Sequence, residues 1–100
     1  MDELTYELLT WLNAGRTVLR PAESTEEGME AFRGLLMLLT RLRDGGLVQF
    51  ADRRVTKTEA GMPLMVSPVD LTPKGKAALE RDRALGPRLP FQGVHPWRAG

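Results

Sequence analysis

Apolar and polar positions alternate along the chain with two different periods, and the changes of period mark the elements. Leu4, Leu8, Trp11 and Leu12 follow the i, i+4, i+7, i+8 spacing of an amphipathic helix. Asp2 precedes this helix as an N-cap and Gly15 follows it as a stop. The stretch "RTVLRP" is short and β-branched, and predicts a small strand ended by Pro21. "STEE" at 24–27 has the form of a capping box, in which Ser24 and Glu27 satisfy each other's backbone N–H groups.

From there a helical pattern runs to Asp44. Met29, Phe32, Leu35, Leu36, Leu38, Leu39 and Leu42 fill about half the circumference. Glu30, Arg33, Met37, Thr40, Arg41 and Asp44 fall opposite. Gly28 and Gly34 leave two readings open, one bent helix or two helices joined at a turn. Gly45-Gly46 ends the helix in either case.

"LVQFA" at 47–51 and "LMVSPVDL" at 64–71 read as strands. Pro68 has no N–H for a ladder, which places the second strand at an edge or bulges it there. Residues 47–71 together predict a β-hairpin with a long mobile tip carrying Arg53, Arg54 and Lys57. Thr72 then caps a last helix, with Pro73 at its first position, running to about Leu85. Gly75 stands in its first turn although glycine costs roughly 1 kcal/mol there against alanine. A close neighbour explains that choice, with Tyr6 and Trp11 as candidates. The tail "RLPFQGVHPWRAG" has no period.

Composition narrows the class. One hundred residues with 42% hydrophobic and 27% charged make one small α+β domain, mainly α, over 1–86, followed by an extended tail at 87–100. Absence of cysteine removes disulfides and thiolate metal sites. No apolar run reaches the ~20 residues of a membrane span, and the acidic start "MDELTYELL" is unlike a secretory leader. A cytoplasmic protein without membrane contact is the expectation. The net charge of +1 is unevenly spread. Residues 1–32 hold seven acids and two bases, for −5, while residues 33–88 hold eleven bases and six acids, for +5. Such asymmetry orients a protein on a polyanion.

Catalytic chemistry finds little support. The only histidine, His95, lies in the tail. Ser24 is accounted for as a cap, and no metal-ligand or phosphate-loop spacing occurs. Glu26 and Glu27 complement the dipole of the helix they begin. Arg81, Asp82 and Arg83 read as a solvated face. No enzyme and no cofactor are expected.

The order of elements, with "LTRLRDGGLV" before the hairpin and "LTPKGKAALER" after it, resembles a winged helix-turn-helix domain of the MarR and PadR families of bacterial transcriptional regulators. Leu39, Arg41, Leu42, Gly46, Leu47 and Val48 resemble the end of a recognition helix entering the first wing strand. Residues 71–79 resemble the junction of the second wing strand with the next helix. The resemblance covers residues 3–85. It implies three or four helices plus a wing, a homodimer, and regulation of transcription through duplex DNA. Arg33, Met37, Thr40 and Arg41 would then face the major groove, and Arg53, Arg54 and Lys57 the phosphates. Winged helices also serve as protein-interaction modules, and here Met37 or the tail residues Phe91 and Trp97 would be the anchors. A pocket for a small ligand is not expected in so short a chain.

Overall fold

Three helices carry the caps that local chemistry requires. The computed structural model describes residues 1–88 and 91–99; residues 89, 90 and 100 of the expected tail lie outside them. Helix α1 (Glu3–Asn13) begins at Asp2, whose carboxylate accepts from the Thr5 N–H at 2.7 Å. Helix α2 (Glu26–Asp44) is a single 19-residue helix. The two-helix alternative is therefore set aside. A break at Gly34 would save roughly 1 kcal/mol of glycine cost but would take Phe32, Leu35, Leu39 and Leu42 off their common buried face.

The cap of α2 also differs from expectation. Thr25, not Ser24, accepts from the Gly28 N–H at 3.0 Å, so the Ser24–Glu27 box does not form. The chain enters α2 so tightly that a Cβ on Gly28 would stand 2.3 Å from the Glu23 carbonyl oxygen. Helix α3 (Pro73–Ala84) starts as predicted, with Thr72 Oγ1 accepting from the Gly75 N–H at 3.0 Å.

Residues 47–71 form two short ladders of one long hairpin. Strand β2 (Val48–Gln49) pairs with β5 (Asp70–Leu71) at its base. Beyond a 3₁₀ turn at Asp52–Arg54, β3 (Val55–Lys57) pairs with β4 (Pro63–Val66). The Ser67–Pro68 peptide is cis and sits in the gap between β4 and β5. Pro68 thus interrupts the run rather than marking an edge: β4 lies inside a sheet of order β3-β4-β1-β6. Strand β1 (Leu19–Pro21) is its centre and β6 (Trp97–Ala99) its far edge. All these pairings are antiparallel.

The arginines expected at the hairpin tip are elsewhere. The tip is the turn from Thr58 to Met62, closed by the Thr58 N–H to the Met62 carbonyl at 2.9 Å. Arg53 and Arg54 lie on the 3₁₀ turn part-way along, and only Lys57 adjoins the tip. The 3₁₀ turn stands where the chain passes from the two-stranded β2–β5 ladder into the four-stranded sheet.

Helix α2 packs across β1 and β4, and α1 packs against α3. Between them lie Leu8, Leu9, Leu19, Leu79 and Val66, all fully buried. The end of the chain joins this core through Trp97, which is 2% exposed. Asp82, expected on a solvated face, is buried and meets the Arg88 Nη2 at 2.6 Å. Burial of a carboxylate is tolerable because a guanidinium accompanies it.

The Asp2 cap gives the molecule an acid-sensitive contact. Donation from the Thr5 backbone N–H, and next from its side chain, holds the Asp2 carboxyl below its ordinary value. A lowered folded value means the contribution is complete above the unfolded value and fades as pH falls through the folded one. Acid melting curves from about pH 6 to about pH 2 are expected to show a smaller loss of stability for Asp2→Asn than for the natural chain.

Candidate nucleic-acid interface

The outward face of α2 is set by the packing of its inward one. With Phe32, Leu35, Leu39 and Leu42 buried, Glu26, Glu30, Arg33, Met37, Arg41 and Asp44 are left exposed. Three acids and two arginines share this face. Arg33 Nη1 stands 3.4 Å from Glu30 Oε1 in an exposed i,i+3 pair. Thr40 is half-buried, and its hydroxyl donates to the Leu36 carbonyl at 2.9 Å, which occupies the donor a base edge would need. Met37 is 56% exposed, a large apolar side chain in the middle of the face.

Arg41 turns toward the other helix of its flank. It lines an open groove of about 590 Å³ with Asp2, Leu4, Gly34, Leu38 and Phe91. The hairpin lies on the opposite flank, because Arg43 ties it there. Arg43 Nη1 donates to the Phe50 carbonyl at 3.2 Å and to Asp52 Oδ1 at 2.7 Å, and its guanidinium lies over the Phe50 ring. Arg41 and Arg43 are two residues apart and so point roughly 160° away from each other around the helix. The seven expected contact residues are divided between α2 and the hairpin. At about 100° per residue Thr40, Arg33, Met37 and Arg41 follow one another in that order around α2, with Thr40 nearest Arg43 and Arg41 farthest from it.

The hairpin carries Arg53, Arg54 and Lys57 together with the acids Asp52, Glu59 and Asp70. Arg53, Arg54 and Lys57 are exposed, and none has a carboxylate partner among the described residues. Of the acids, Asp52 is taken up by Arg43. Arg54 also borders a shallow cleft of about 230 Å³ with Phe50, Pro68 and Asp70.

The tail anchors are divided. Trp97 is in the core and presents no surface to a partner, which corrects its assignment as an anchor. Phe91 is half-buried and stacks on His95 at 4.9 Å, and His95 stacks on Trp97 at 4.8 Å. His95 Nε2 is 3.1 Å from Glu7 Oε1. A histidine held between two aromatic rings and beside one carboxylate serves packing of the tail on α1. No group of three or more metal-ligating side chains occurs among the described residues.

Sequence reasoning passed over one cluster. Register places Arg20 of β1 directly opposite Arg98 of β6. No local signal could reveal it, since strand pairing across most of the chain leaves no periodic trace. No helix among the described residues is long and apolar enough to cross a membrane. Comparison with protein-family models, with curated proteins and with solved structures finds no match.

Proposed function

We propose that the protein binds duplex DNA as a small winged-helix-like regulator in which the hairpin supplies most of the contact. One observation carries this reading: Arg53, Arg54 and Lys57 are exposed within five residues and have no carboxylate partner among the described residues. Unpaired cations on a projecting element neutralise phosphates and release counterions. The order of a helix, a hairpin and a following helix supports the winged-helix layout, with α2 in the place of the recognition helix. Base reading would rest on Arg41 and, after release from Glu30, on Arg33. The mixed charge of the α2 face makes this a binder of backbone more than of sequence. A homodimer would place two such hairpins on one duplex.

Binding to a random duplex pool at two salt concentrations tests the reading. Replacing Arg53 and Arg54 together by alanine is expected to weaken binding to all sequences alike and to reduce the salt slope by about 2. Lack of binding to any duplex at low salt would sink it.

Met37 favours a second reading, a protein-interaction module. Its side chain is 56% exposed, and the next residue, Leu38, lines a groove with Asp2, Glu3, Leu4, Arg41 and Phe91. An exposed methionine near a groove of mixed apolar and charged lining suits a partner helix. Under this reading Met37→Ala abolishes partner capture, and the double arginine variant leaves it intact.

A further inference from the structure

We propose that a cleft at the end of the four-stranded sheet binds a small organic oxyanion, a phosphate ester or carboxylate carrying an apolar body. The cleft has a volume of about 380 Å³ and is lined by Arg20, Pro21, Ser24, Met29, Thr58, Leu64 and Arg98. That size is within the range of small-molecule sites.

Its charge is unbalanced in a way the fold does not resolve. Arg20 and Arg98 are directly opposite in the β1–β6 ladder. Like charges in that relation repel and destabilise a sheet. No carboxylate among the described residues lines the cleft. Arg20 is half-buried and its guanidinium has no hydrogen-bond or ion-pair partner among the described residues. Arg98 is fixed through one nitrogen only, its Nε donating to the Pro21 carbonyl at 3.1 Å, which leaves the two terminal nitrogens to donate. An oxyanion between the two guanidiniums removes the repulsion and accepts from both.

The remaining lining tells the anion's other half. Thr58 Oγ1 accepts from the Met62 N–H at 3.1 Å and keeps its own proton for donation. Ser24, released from capping because Thr25 takes that task, offers a second hydroxyl. Pro21, Met29 and Leu64 are apolar, and Leu64 stands 38% exposed with nothing over it in the cleft. Bare phosphate would leave that surface wet, whereas an ester or acid with a carbon body covers it. This inference is independent of DNA binding, which rests on other arginines.

Titration of the full chain with phenyl phosphate, phenylacetate and inorganic phosphate, followed by the side-chain NMR signals of arginine Nε, tests the proposal. Saturable shifts at Arg20 and Arg98 are expected for at least one organic anion, with inorganic phosphate weaker by about 5-fold or more. Arg20→Gln is expected to weaken the organic anion by about 10-fold or more, and Leu64→Ser to narrow its advantage over inorganic phosphate. Backbone amide spectra of both variants verify that they fold. No saturable shift up to about 10 mM would overturn the proposal. So would equal response to inorganic phosphate, which marks an adventitious ion only. A response of Arg20 to duplex DNA but to none of the small anions would overturn it too, and would move the pair to the nucleic-acid surface.

Discussion

Trp97→Ala is expected to destabilise the domain by about 3–5 kcal/mol, the range for emptying a buried aromatic site. Trp97 is 2% exposed, although only three residues follow it in the sequence. Its ring meets Trp11 edge-on at 5.9 Å and His95 at 4.8 Å, and its backbone pairs with Pro21. Truncation removes the ring and unseats the strand that carries it. A domain of this size has only about 5–15 kcal/mol in total. Thermal unfolding followed by circular dichroism is expected to move down by about 15 °C or more. A shift under about 5 °C would show that β6 is not part of the cooperative unit. Trp97→Phe provides the contrast. The indole Nε1 is buried and has no hydrogen-bond partner among the described residues. Phenylalanine removes that unsatisfied group while filling much of the space, so a loss of only about 1–2 kcal/mol is expected.

Gly75→Ala is expected to destabilise by about 2 kcal/mol or more, against the helix propensity of alanine. The reason is a backbone contact: a Cβ at Gly75 would stand 2.0 Å from the Leu47 carbonyl oxygen and 2.8 Å from Leu71 Cδ1. The Leu47 carbonyl cannot move freely, because it accepts from the Thr72 N–H at 3.1 Å. Thr72 Oγ1 also donates to the Gly46 carbonyl at 2.5 Å, and Lys74 Nζ to the Gly45 carbonyl at 2.8 Å. These bonds clamp the start of α3 onto the end of α2. Relieving the collision breaks them or lifts the helix, and overpacking of this kind costs about 1–3 kcal/mol before those losses. Alanine's better propensity returns only about 1 kcal/mol.

Gly34→Ala in α2 is the control with opposite sign. Gly34 is exposed in mid-helix, and its added Cβ meets nothing within 4 Å. Stabilisation by about 0.5–1 kcal/mol is expected. Melting temperatures of the two variants moving the same way would reject the contact account of Gly75.

The neighbour of Gly75 shows how far sequence reasoning reaches. A costly glycine in a capped helix signals a close approach, and the approach is there. Tyr6 and Trp11 were the expected partners, because aromatic rings on α1 face α3. The partner is instead the Leu47 backbone, at the loop where α2 ends. Carbonyls carry no identity in a sequence, so no residue type could have named it. The α2 glycines make the same point in reverse. Gly34 carries the signal of a turn, yet the helix runs through it, since one buried face of four large side chains outweighs one glycine.

Local chemistry by itself determined the helices, their caps at Asp2 and Thr72, the stop at Gly45-Gly46 and the presence of a hairpin. Each depends on residues within a turn or two of one another, where side-chain type and spacing are sufficient. Only the tertiary structure decided the rest: that α2 is continuous, that Arg53 and Arg54 ride a 3₁₀ turn rather than the tip, that Trp97 closes the core, and that Arg20 faces Arg98. These depend on register and packing between segments far apart in the chain. Apolar burial writes a period that marks which face of an element is inward, but neither it nor backbone pairing names the distant segment that covers that face.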